Sequence, residues 1–222
     1  RSIDMMNVAN VKKTLLWMAK FHGAHWGSEF VDKVVKDGGI QPIGSYWHLN
    51  TRPDEHDNMN RRGWEGRLKR AARAIDSCLK RDPMQCIIHG DPKEANIMIV
   101  DTSDNSKEAE VFLYDLQYSG KGSPTRDIAY FLCSSCDEDE EEQFIEYYYK
   151  QLIERLNSNN KEKNIPTLNH FKKSLELAFC DFCRFMCGWG YWGYDVKDRV
   201  KATLDKLDGG KDLGSEGAYD QA

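Results

Sequence analysis

A chain of 222 residues and 25.6 kDa can bury a substantial core and suits one domain. Its net charge of −5 argues against general nucleic-acid binding, which needs a basic surface to neutralise phosphates. No apolar run approaches the ~20 residues that span a bilayer, and residues 1–25 lack a signal-peptide core, so the expectation is a cytoplasmic protein with no membrane partner.

In chain order, Met5, Val8, Val11, Leu15, Leu16 and Met18 fall near helical spacing, which predicts a helix over 5–21 ending near Gly23. Residues 37–63 read as irregular, with Asp37-Gly38-Gly39, Gln41-Pro42 and the polar run from Asn50 to Arg62. Tyr46, Trp47 and His48 lie inside that stretch, as a substrate wall or as aromatics packed on a core. Residues 64–81 predict a basic helix, with Arg67, Lys69, Arg70, Arg73, Lys80 and Arg81 around Leu68, Ala71, Ala72, Ile75 and Leu79; given the acidic total, a solvated face is the better reading than a nucleic-acid role.

The stretch from Ile87 to Val100 is the most informative. An apolar pair enters a polar loop, and a β-branched run leaves it. His89, Asp91, Lys93 and Asn96 fall within eight positions, and together they supply a proton acceptor, a point charge for a phosphate oxygen and an amide oxygen for a metal. Val111 to Tyr114 then form a short apolar strand that ends in Asp115. The turn-rich linker Asp101 to Lys107 makes the two strands a β-hairpin, which places Asn96 and Asp115 at the same open end. Two oxygen ligands of this kind suit Mg²⁺, which takes few protein carboxylates besides phosphates and water.

Gln117 to Thr125 read as a glycine-containing loop, and Asp127 sits in the first turn of the helix that follows, where an acid is favoured. Asp137 to Glu142 begin another helix, as a capped and solvated end or as an attractor of cationic substrates. A final helix is predicted over 168–187, followed by the aromatic, glycine-rich run Gly188 to Tyr194. The tail 208–222, rich in Gly, Asp and Ser, is expected to be disordered. Seven cysteines give no disulfide framework. The pairs Cys133/Cys136 and Cys180/Cys183 are too far apart for a familiar zinc module, and buried thiols acting as small hydrophobes are the better reading.

His89-Gly90-Asp91 with Asn96, then Tyr114-Asp115-Leu116-Gln117, then Gly122-Ser123-Pro124 through Asp127-Ile128-Ala129-Tyr130-Phe131-Leu132 resemble the aminoglycoside phosphotransferase and choline-kinase-like superfamily. Within it they are most similar to the ecdysteroid-kinase-like branch. The spacing from His89 to Asn96 also resembles the protein-kinase catalytic loop, with Gly90 in place of arginine. Leu15 to Trp26 resemble the helix that precedes this loop in the family.

The resemblance implies an α+β, mainly α, protein-kinase-like fold whose catalytic and metal residues ride on a β-hairpin. Residues 1–207 would form its C-terminal lobe, with the catalytic loop at 87–100, the metal strand and loop at 111–127 and C-terminal helices at 137–207. It also implies ATP with Mg²⁺ and transfer of a phosphate to a hydroxyl on a small molecule. Asp91 would be the base, Asn96 and Asp115 the metal ligands, and Lys93 a second catalytic group at the phosphate. His89 and Asp127 would support the loop, and Trp189, Tyr191 and Trp192 would line the acceptor pocket. The family's β lobe, with its glycine-rich loop and phosphate-holding lysine, has no counterpart before residue 89, so weak ATP binding by this chain is the expectation. A non-catalytic kinase-like module and a metal-dependent phosphohydrolase are the alternatives. Neither the acceptor nor the oligomeric state is legible.

Overall fold

In the computed structural model the residues described are 6–100, 110–158 and 165–221. The first helix, α1 (Val8–Ala24), starts where the Asn7 side chain accepts from the Asn10 amide, and it buries Val11, Leu15, Met18, Ala19 and His22 at helical spacing. That stripe lies along α6 (Glu141–Ser158), whose Phe144, Ile145, Tyr148, Leu152 and Leu156 are buried. At the centre runs α7 (Leu168–Trp189), burying Phe171, Leu175, Phe179, Phe182 and Phe185. It packs on α3 (Pro53–Asn58), α4 (Gly63–Arg81), α5 (Pro124–Ser135) and α8 (Lys197–Asp208). Buried ion pairs tie three of these together: Arg126 of α5 meets Asp76 of α4 at 2.7 Å and Asp181 of α7 at 3.4 Å, and Arg184 meets Asp181 at 2.9 Å while donating to the Trp47 carbonyl. The remaining helices are α2 (Ser28–Lys36) and the short α9 (Glu216–Tyr219).

Among the described residues, four short strands complete a mainly helical α+β fold. β2 (Ile97–Val100) and β3 (Glu110–Leu113) pair antiparallel, with Ile97 opposite Leu113 and Val100 opposite Glu110, so the expected hairpin forms. Its linker lies outside the described residues. β1 (Cys86–Ile88) pairs antiparallel with β4 (Gly120–Gly122). β4 lies in the stretch expected as loop, since Gly-Lys-Gly carries no apolar alternation; here the glycines admit close neighbours, and a Cβ at Gly122 would press on Ile88.

Other expectations shift. Residues 37–63 are not wholly irregular, since Pro53 opens α3. The acidic run does not open α6 directly: Asp137 caps a 3₁₀ turn, Glu138–Glu140, and α6 starts at Glu141, whose buried carboxylate is held by Arg199 and Tyr194. The cysteines 133, 136, 180 and 183 are buried and free, and burial pushes the Cys133 thiol up to about 12. No group of three or more His, Cys, Asp or Glu among the described residues is placed to hold a metal, and no described helix is long and apolar enough to cross a membrane.

The tail expected to be disordered instead packs on α4 and covers part of its basic face, while Arg73 keeps 60% of its side chain exposed. Asp208, Asp212 and Glu216 meet Arg67, Arg70 and Arg73, spaced by three along the helix; Tyr219 is buried and donates to Asp208 at 2.7 Å. The bond from Arg67 holds the Asp208 carboxyl below its ordinary value of 3.8, and Arg70 does the same for Asp212. A carboxyl depressed in the folded state stabilises above its unfolded pKa and loses that contribution as pH falls through the lower folded value. The melting-temperature difference between the chain and a version ending at residue 207 is therefore expected to narrow below pH 3.8. Calorimetry across a pH series reads this, and a constant difference would contradict it.

Candidate active site

β1 runs into His89, and the loop it enters is gripped from behind by α5. Asp127, in the first turn of that helix, accepts from the backbone N–H of His89 at 2.7 Å and of Gly90 at 2.9 Å. The same carboxylate accepts from His22 Nε2 at 3.1 Å. Its other ring nitrogen, Nδ1, shares a hydrogen bond with the Tyr148 hydroxyl at 2.7 Å, which ties the loop to α1 and α6. His89 is buried and uses both ring nitrogens: Nε2 donates to the Tyr114 carbonyl at 2.9 Å and Nδ1 accepts from the Asp91 amide at 3.3 Å.

Gly90 explains why glycine stands where the similar protein-kinase loops carry arginine. Its φ is +86°, in the left-handed region, and an added Cβ would overlap the Tyr118 carbonyl and the Ser45 amide. The Gly90 carbonyl also accepts from the Tyr46 amide at 3.2 Å, so residues 44–46 lie directly against the loop. Gly90→Ala is expected to lower stability by about 2 kcal/mol or more, through strain and overlap combined, and to displace Asp91. A chemical-denaturation midpoint unchanged from the parent would contradict this.

Asp91 is 2% exposed and bonded at both oxygens. Oδ2 accepts from Lys93 Nζ at 3.0 Å and Asn96 Nδ2 at 2.9 Å, and Oδ1 accepts from Tyr130 O–H at 3.0 Å. Asn96 Nδ2 also donates to the Asp91 carbonyl at 2.8 Å. Both partners of that amide nitrogen are pure acceptors, which fixes the orientation and turns Oδ1 of Asn96 away from Asp91. The Tyr114 amide donates to the Asn96 carbonyl at 3.1 Å, one step beyond the β2–β3 ladder. Asn96 and Asp115 therefore share the open end of the hairpin. Asp115 is exposed, with φ +62° and ψ +61°, a strained backbone for a non-glycine, and its Oδ2 accepts from Gln117 Nε2 at 3.1 Å. Asp91, Lys93 and Asn96 thus form one bonded cluster, and Asp115 stands beside it, facing solvent, without a hydrogen bond to any of the three among the described residues.

The aromatic candidates separate. Trp192 packs edge-on against Tyr130 with centroids 5.5 Å apart. Trp189 reaches the cluster less directly: its ring carries the Arg52 guanidinium, which also lies over Tyr46. Tyr191 turns away, with its hydroxyl on Cys187 Sγ at 3.1 Å and Cys183 Sγ at 3.4 Å.

The sequence reading did not pick out Tyr130 as a partner of Asp91. The signal was available, because Tyr130 lies three residues after Asp127 and so shares its helix face. Its hydroxyl also points at the Tyr46 oxygen 3.4 Å away, so its proton is shared between the Asp91 carboxylate and Tyr46. Burial raises the pKa of both phenols, that of Tyr46 to about 12, so both stay protonated.

Against known proteins, the model of the ecdysteroid kinase-like family matches residues 51–161. The chain belongs to the ecdysteroid kinase-like family. The matched span of this family member holds the whole loop from His89 to Asn96, Asp115, Asp127, Tyr130 and Arg52, while His22, Tyr46, Trp189 and Trp192 lie outside it. No curated protein and no solved structure matches.

Proposed function

We propose that this ecdysteroid kinase-like protein transfers the γ-phosphate of ATP to a hydroxyl of a small molecule, with Mg²⁺. The observation that carries the reading is the bonding of Asp91. Lys93 and Asn96 fill Oδ2, while Oδ1 has one partner among the described residues, Tyr130, and a lone pair to spare. An acceptor hydroxyl directed at that lone pair would give up its proton to Asp91 as it attacks phosphorus. Lys93, 39% exposed at its side chain, can steady a phosphate oxygen without leaving the cluster.

The donor set fits Mg²⁺. Asn96 offers a carboxamide oxygen that its own hydrogen bonds do not use, and Asp115 offers an exposed carboxylate at the same end of the hairpin. Bound there with ATP, Mg²⁺ would neutralise developing phosphate charge. Asp127 and His89 act on the loop's position. Trp192 and Tyr130 form part of the wall on the acceptor side, together with Tyr46.

The test is a screen of hydroxylated metabolites for ATP-dependent gain of one phosphoryl group, run with the full-length protein and with Asp115→Asn. Phosphorylated product that disappears with Asp115→Asn supports the reading. Phosphate released from ATP with no acceptor present would move the protein to a phosphohydrolase. Neither product nor release would leave a non-catalytic module.

A further inference from the structure

Arg52, just before α3, holds its guanidinium in an unusual way. The group lies 5.4 Å from the centroid of the Tyr46 ring and 5.6 Å from that of Trp189. Its Nε donates to the Tyr46 carbonyl at 3.1 Å. The nearest carboxylate, Glu55, stands 3.9 Å from Nη1, too far for a hydrogen bond, and Nη2 bonds to no described residue. The side chain is 27% exposed. Ring faces and one carbonyl thus fix the position of a guanidinium whose outer N–H groups are unspent.

That position is built in. At Gly188 a Cβ would overlap the Glu55 backbone, so α3 and α7 meet there main chain to main chain, and this contact sets Arg52 on Trp189. Tyr46 connects Arg52 to the catalytic cluster. Lys93 Nζ lies 5.7 Å from the same ring centroid, and the Tyr46 ring packs edge-on against Tyr130, which bonds Asp91.

We propose that the acceptor is a hydroxylated organic acid: an apolar body laid on the half-exposed Trp189 indole, a hydroxyl at Asp91, and an oxyanion held by the outer nitrogens of Arg52. This rests on the phosphotransfer reading above for the role of Asp91. A planar fork with free N–H groups matches a carboxylate or sulfate in bidentate fashion. Two protein cations, Arg52 and Lys93, already occupy Tyr46, the aromatic surface on which an amine would sit. The acidic run offers no compensation through its buried member, because Glu141 is taken by Arg199 and Tyr194.

Three probes of nearly equal shape test the assignment: para-hydroxyphenylpropionate, its amide, and tyramine, titrated into the full chain by ligand-observed NMR without nucleotide. The acid is expected to bind about tenfold tighter than the amide, with tyramine weakest. In Arg52→Gln the three should converge, while Arg52→Lys keeps part of the order by keeping the charge; unfolding temperatures confirm that both variants are folded. Equal binding of the three, no binding of any, or a preference for the acid that persists in Arg52→Gln would overturn the proposal. Because the titration needs no ATP, the order can hold while no phosphate reaches any acid, in which case the phosphotransfer reading fails and the charge preference stands.

Discussion

Asp91→Ala is expected to reduce phosphate transfer by about 10²- to 10⁴-fold, the range spanned by a positioned general base. The loss should fall on kcat, because the carboxylate acts on the hydroxyl as it attacks and makes no contact required for ATP to bind. Stability should change far less. Lys93 is partly exposed and can turn to water, and Asn96 keeps its bond to the backbone carbonyl at position 91, so the buried hydroxyl of Tyr130 bears most of the cost. One unsatisfied buried group is worth about 1–3 kcal/mol, a fall of several degrees in a chain of this size. Activity within tenfold of the parent, in a variant that unfolds at a similar temperature, would remove Asp91 from the chemistry.

The opposite balance is expected at Asp127. Its carboxylate takes the backbone amides of His89 and Gly90 and the buried His22 ring, and it is 1% exposed. Asp127→Ala leaves all three donors without a partner inside the protein, at an expected cost of about 3–5 kcal/mol and roughly 10 °C in unfolding temperature. Asp127→Asn should fall between the two, because one amide oxygen can still serve part of the set. Calorimetry of the three proteins side by side reads the order. A melting temperature for the alanine variant within two or three degrees of the parent, on the scale of about 2–4 °C per kcal/mol, would mean that the loop holds itself.

The parts of this site that could be read from sequence are those made by neighbours in the chain. Asp91, Lys93 and Asn96 share one loop, and a hairpin needs only two apolar runs with turn-formers between them, so their meeting was foreseeable. The position of Asp127 beneath the loop came from resemblance, since nothing local says that an acid in the first turn of a helix will reach two amides far upstream. What escaped the reading depends on distant backbone approach. β4 is a strand because β1 lies beside it, and Gly-Lys-Gly has no pattern of its own. Arg52 sits in a polar stretch that reads as loop, and only the contact of α3 with α7 at Gly188 brings it to Trp189. The tail reads as disordered because its Gly, Asp and Ser content is that of a solvated segment, and composition is blind to a ladder of arginines on another helix.

The hydrogen bonds from Tyr148 through His22 to Asp127 carry a consequence for how this protein can change. Three helices and the loop share one buried string of polar atoms, so a substitution at any of its members is felt at the others and would need a matched change elsewhere to be tolerated. The rim made by Arg52, Trp189 and Trp192 is outside that string. New acceptors could be recruited by drift at the rim while the machinery beneath it stays frozen, and laboratory evolution for altered substrate choice should accumulate its mutations there.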